Sequence, residues 1–135
     1  MPRYRFHATA LLLACALSSS AQAQAQSAPS GQAAQAAREV QYLLDTVAAS
    51  HCQFNRNGSW YDSVEARKHL QKKYDYLAER KQAPTAESFI ERGATSSSMS
   101  GKPYQICCAG AAPVDSASWL TDQLARYRKN SRPQS

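Results

Sequence analysis

The clearest pattern in the chain is a helical stripe. Ala36, Val40, Leu43, Leu44 and Val47 recur at i, i+4, i+7, i+8 and i+11, so they share one face of a helix over about 34–50. Arg38, Gln41 and Asp45 fall off that face. From Ser50 to Asp62 the helical period is lost. Cys52 and Phe54 alternate, Asn57-Gly58 marks a turn because both residue types tolerate positive φ, and Trp60 follows. This segment is expected to be a short hairpin or a structured loop. A second helix starts at Asp62, with Glu65 three residues on as a capping-box partner. Its apolar face is Ala66, Leu70, Tyr74 and Leu77, surrounded by Arg67, Lys68, Lys72, Lys73, Arg80 and Lys81. Thr85 caps a third, shorter helix that buries Phe89 and Ile90. After a polar loop at 95–101, Tyr104, Ile106 and Cys108 alternate as a strand. Pro113 breaks the chain, and Asp115 or Ser116 caps a last helix with Leu120, Leu124 and Tyr127 in a stripe beside Trp119. Arg126, Arg128 and Lys129 suit its C-terminal dipole.

These elements predict an α-rich α+β domain of about four helices with a short strand or hairpin element. The expected organisation is a signal peptide at 1–23, a disordered linker at 24–33, one globular domain at 34–130 and a flexible tail at 131–135. The first segment has basic Arg3 and Arg5, the apolar run Ala8 to Leu17, then small residues ending in Ala21-Gln22-Ala23. Ten apolar residues rise about 15 Å as a helix against about 30 Å of hydrocarbon, too short for a stable span. Leu12-Leu13-Ala14-Cys15 partly matches a lipoprotein box, which makes Cys15 a minor alternative cleavage point. The linker is Gln/Ala/Ser/Pro/Gly-rich and uncharged, with nothing large to bury.

Length and charge narrow the functional classes. With 135 residues the chain has room for one small domain, which excludes large multidomain enzymes and repeat arrays. Its formal charge is +6. Export argues against nucleic acid as the partner, and Glu65, Asp75 and Glu79 dilute the basic stripe of the second helix. An envelope protein, a peptide or an anionic glycan remain as partners. After signal cleavage no transmembrane segment is expected.

The cysteines pair by strand phase. Alternate residues of a strand share a face, so Tyr104, Ile106 and Cys108 face the core while Gln105 and Cys107 face out. Cys52 therefore pairs with Cys108 and Cys107 is left over. A loop of that length is worth about 4 kcal/mol by closure entropy. His51, Cys52, Cys107 and Cys108 lack the two-residue gap of a zinc knuckle, so neither metal nor cofactor is expected.

No complete catalytic set is present. Gly101-Lys102 is followed by Pro103 and has no upstream glycine, so it is not a phosphate-binding P-loop. No Gly-x-Ser-x-Gly elbow occurs. The candidate binding surface combines Arg56, Asn57, Trp60, Tyr61, His69, Ser98, Ser100 and Lys102. There Arg56 and Lys102 would hold an anionic group, the serines would donate hydrogen bonds, and the aromatics would supply contact area. These features point to a non-enzymatic binding or interaction module. The competing reading is a small cell-wall-directed hydrolase using His69 with Ser98 or Ser100.

Taken in order, the motifs are Ser50-x-Cys52-x-Phe54-x-Arg56-Asn57-Gly58, Glu65-Ala66-x-x-His69-Leu70, Lys73-Tyr74-x-Tyr76, Phe89-Ile90, Ser97-Ser98-x-Ser100-Gly101-Lys102-Pro103-Tyr104, a cysteine, and Trp119-Leu120 with Leu124 and Tyr127-Arg128. They resemble a family of small exported Gram-negative proteins known only as a domain of unknown function. The resemblance runs from Glu39 to Arg128. It implies periplasmic or secreted localisation and a disulfide, with the family's second cysteine aligning with Cys108. It implies no activity, and Cys107 departs from the pattern.

Overall fold

A computed structural model of the chain describes residues 27–132. The proposed signal peptide, Cys15 and the end of the tail at 133–135 lie outside the described residues. Four helices and a four-stranded antiparallel sheet follow in the order α1 (Ser27–Ala49), β1 (Gln53–Arg56), β2 (Ser59–Tyr61), α2 (Ser63–Glu79), α3 (Ala86–Phe89), β3 (Gln105–Cys107), β4 (Val114–Asp115) and α4 (Ser116–Asn130).

The stripe of α1 is the centre of the core. Val40, Leu43, Leu44 and Val47 are fully buried, and Ala36 nearly so. Around them pack Leu70 and Leu77 of α2, Phe89 of α3, Leu120 and Leu124 of α4, and Phe54 and Ile106 of the sheet. The Ser63 hydroxyl donates to the Ala48 carbonyl at 3.0 Å and ties the start of α2 to the end of α1.

One expectation is corrected. α1 begins at Ser27, inside the stretch read as a linker over 24–33. Gln and Ala favour a helix already nucleated by a buried stripe downstream, and Pro29 falls in the first turn, where its missing N–H would have had no partner. The early side chains from Gly31 to Gln35 are exposed, which is why apolar periodicity does not reveal this part of the helix.

The helix starts follow side-chain capping. Asp62 accepts from the Glu65 N–H at 2.9 Å. The Glu65 carboxylate turns to Lys68 instead of closing a capping box. The full box is at α3, where Thr85 and Ser88 bond each other's backbone. Asp115 precedes α4 with no side-chain cap. After α3 the chain continues as a π-helical turn, Ile90–Ala94, that buries Gly93 and Ala94. A Cβ on Gly93 would stand 3.0 Å from the Phe89 ring, so a larger residue there would press on α3 unless the ring shifted.

The sheet order is β2-β1-β3-β4. In register, Phe54 lies opposite Tyr61 on one side and Ile106 on the other. These residues face the helices. The opposite face carries Gln53, Asn55, Trp60, Gln105 and Cys107, none of them buried. Cys52 and Cys108 are bonded, with Cα atoms 4.4 Å apart. They form the next pair beyond Gln53 and Cys107 in the β1–β3 register, so the bridge continues the ladder. Tyr104 and Ile106 are buried, Cys108 packs against the core, and Cys107 is a free, half-exposed thiol. The strand phase therefore places all five residues as expected. β4 is an added strand, too short for its pattern to be read in advance.

Candidate functional site

The β1–β2 hairpin turns at Asn57 and Gly58, with φ of 54° and 86°. Both angles are positive, as a two-residue hairpin turn with the twist of its strands requires. The Asn55 side chain braces the turn by accepting from the Gly58 N–H at 3.1 Å. This register sets Phe54, Arg56 and Tyr61 on the face toward α2. Helix α2 leaves β2 through Asp62 and runs back beside the hairpin. Ala66 and Leu70 enter the core, and His69 and Lys72 flank them. Between hairpin and helix lies a cleft of about 210 Å³. Its floor is Phe54, Ala66, Leu70 and Tyr104, and its rim carries Arg56, Tyr61, Lys68 and Lys72.

The centre of the cleft is the contact between Arg56 and His69. The Arg56 Nη1 stands 2.7 Å from the His69 Nδ1 and 3.3 Å from Nε2. A guanidinium has only donors, so the imidazole is neutral and accepts. Burial pushes the His69 pKa down to about 4, helped by the charges of Arg56, Lys73 and Lys72. Arg56 also donates to the Tyr61 hydroxyl at 3.5 Å, and its guanidinium carbon is 5.0 Å from the centre of that ring. That contact lowers the Tyr61 pKa. On the far side, Lys73 Nζ donates to the Tyr104 hydroxyl at 3.1 Å and to the Ser96 carbonyl at 3.4 Å. The Tyr104 ring meets His69 edge-on, with centroids 6.1 Å apart.

The charge balance in this cleft is one-sided. The carboxylates of the ion pairs among the described residues go to Arg67, Lys68, Arg80 and Arg128, and none goes to Arg56. Glu65 lines the cleft but is held by Lys68 at 2.9 Å. Arg56 is thus a half-buried cation whose described partners are neutral. Such a group, set among further cations, favours a ligand that brings negative charge.

The eight candidate residues separate into four places. Arg56, Tyr61 and His69 meet in the cleft. Asn57 and Ser100 meet at the turn, where the Ser100 hydroxyl donates to the Asn57 Oδ1 at 2.6 Å and joins two loops 43 residues apart. Ser98 and Lys102 are exposed on the loop that Ser100 anchors. Trp60 lies opposite Asn55 on the other face of the sheet, 43% exposed. Among the described residues no serine hydroxyl bonds His69, whose ring nitrogens face Arg56. A histidine held neutral down to about pH 4 is a weak general base at neutral pH.

Three contributors escaped selection by sequence. Lys72 and Lys73 read as members of a solvated stripe, although Lys73 stands one turn after His69 and that spacing was the available signal. Tyr104 read as a core residue, and its ring is buried, but its hydroxyl reaches Lys73. Among the described residues no group of three or more His, Cys, Asp and Glu side chains is placed to hold a metal ion. No helix among them is long and apolar enough to cross a membrane.

Residues 34–128 match the model of a family of unknown function, DUF5329, and the chain belongs to that family. No curated protein and no solved structure matches it.

Proposed function

We propose that this protein is an exported, non-enzymatic binding module of the bacterial envelope, and that the Arg56–His69 cleft receives an anionic group of its ligand. The observation that carries the reading is the Arg56 guanidinium, half-buried, held by a neutral imidazole and a phenol, and given no carboxylate by the described residues. Tyr61 fixes its plane, Lys72 adds charge at the rim, and Phe54 and Leu70 give the floor an apolar surface. Export rests on the basic, apolar and small-residue order of 1–23, and a disulfide suits an oxidising compartment.

The test is a titration of the oxidised domain with acetate, phosphate and sulfate at constant ionic strength, followed by the NMR signals of the Arg56 side chain and the His69 ring. Saturable shifts confined to the cleft, lost in Arg56→Gln, are the expected result. Shifts that persist in Arg56→Gln, or none up to tens of millimolar anion, would refute the anion site.

A further inference from the structure

The cleft adjoins an unpaired strand. β2 is the outermost strand of the sheet, and among the described residues no backbone hydrogen bond reaches Ser59, Trp60 or Tyr61 from outside the β1–β2 ladder. Arg56 and Ser59 close the two-residue turn, so they and the pair Phe54–Tyr61 are the hydrogen-bonded pairs of the hairpin. Trp60 lies between them. Its N–H and C=O therefore point away from β1, to the open side. The strand carries no lysine, proline or bulge, which are common guards of a sheet edge. The opposite edge differs: β4 has two residues, follows Pro113 and runs straight into α4.

The two faces of β2 offer different chemistry. On the helix-side face, Tyr61 stacks near the unneutralised Arg56, with Lys72 beyond. On the other face stands the exposed Trp60. A strand added along β2 would alternate in the same way, because neighbouring side chains point to opposite faces. Its residue opposite Trp60 would rest against the indole. Its two flanking residues, opposite Ser59 and Tyr61, would point to the cationic cleft. Charge complementarity then specifies acidic flanks around a central apolar or aromatic residue.

We propose that β2 is a docking edge for an extended acidic segment of a partner protein, which adds as a fifth strand with carboxylates toward Arg56 and an apolar side chain against Trp60. The proposal rests on the anion reading of the cleft and extends it to a peptide ligand. A three-residue edge provides only a short ladder, so the two side-chain contacts carry most of the selectivity.

The test uses the oxidised domain and a fluorescein-labelled peptide of sequence SSEFESS, amidated at its C-terminus, in an anisotropy titration. Saturable binding is expected. Replacing both glutamates by glutamine, substituting Arg56→Gln, or substituting Trp60→Ala should each weaken it by about tenfold or more. Methylating the peptide nitrogen of the phenylalanine, which removes the hydrogen bond to the Trp60 carbonyl, should do the same. If acetate or phosphate shifts the cleft signals but the N-methyl peptide binds as well as its parent, or Trp60→Ala is silent, strand addition is wrong and the anion site stands. If a sulfated or uronic-acid oligosaccharide binds and the peptide does not, the partner is a glycan and the proposal fails. If no anion and no peptide binds, both readings fail together. Circular dichroism and retention of the Cys52–Cys108 bridge certify that each variant is folded.

Discussion

Arg128 takes both carboxylate oxygens of Glu39, through Nε and Nη2, at 2.8 Å each. Glu39 is only 3% exposed, and the same guanidinium reaches Glu87 with its remaining nitrogen. One residue of α4 thereby fastens the helices on either side. Arg128→Met leaves a carboxylate buried without its partner and should cost about 3 kcal/mol of unfolding free energy. Joining it with Glu39→Leu removes the stranded charge and should recover most of that loss. Urea denaturation of the two variants checks both values.

His69 gives stability a pH dependence of definite sign. Its folded pKa of about 4 lies below the unfolded value near 6.5, so the unfolded chain binds the extra proton between these limits. The contribution is complete above pH 6.5 and is lost as pH falls toward 4. The full shift corresponds to about 3 kcal/mol, and solvent screening of a half-buried ring reduces it to about 1. His69→Gln should flatten the stability profile in that window. Glu39 and Glu87, held below the usual carboxylate range by Arg128, add a loss at more acidic pH that the variant leaves in place.

Occupancy of the cleft should be visible from the same histidine. A carboxylate placed beside Arg56 offsets the positive field that helps keep His69 neutral. Sulfate, which unlike acetate stays ionised where His69 titrates, should at saturation raise the His69 pKa above 4 in the same way, and lower pH should tighten sulfate binding by linkage. Titration of the ring carbon signal with and without sulfate measures the shift directly.

Cys52→Ser or Cys108→Ser opens a loop spanning 56 positions and should cost about 4 kcal/mol. Cys107→Ser should change stability by less than about 0.5 kcal/mol, since its thiol is half-exposed and outside the bridge. Denaturant melts without reductant, with peptide maps of the same samples, separate the three cases.

Gly93→Ala should destabilise the protein by about 1–3 kcal/mol. The new methyl meets the Phe89 ring at 3.0 Å and Leu77 at 3.4 Å, both packed in the core. The reduction should appear as a lower melting temperature with the bridge intact.

Local patterns were legible wherever burial followed a helical or strand period. The α1 stripe, the Asp62 and Thr85 caps, the Asn57-Gly58 turn and the Cys52–Cys108 pairing follow from residues close in sequence or from simple alternation. Contacts set by three-dimensional packing were not. Glu39 and Arg128 are 89 positions apart, and neither breaks the pattern of its own helix. Trp60 and Tyr61 are neighbours in sequence but face opposite ways, so one candidate surface became two. The π-helical turn sets Gly93 close against the Phe89 ring, an approach that no periodicity encodes. Arg56 beside His69 was within reach of sequence as a pair of candidates, but that no carboxylate of the described residues goes to Arg56 needed their whole charge map.

The position of the bridge at the end of the β1–β3 ladder makes oxidation a choice between two alignments. Cys107 and Cys108 are adjacent, and a bond from Cys52 to either one selects a register that differs by a single residue. A one-residue slip exchanges the faces of a strand. With Cys108 bonded, Ile106 and Tyr104 enter the core. With Cys107 bonded, they would be driven outward, and Gln105 would take their place. A mispaired molecule would thus be a kinetic trap with an exposed apolar strand. Its escape would require a thiol, and Cys108, released by the error, would be the nearest one.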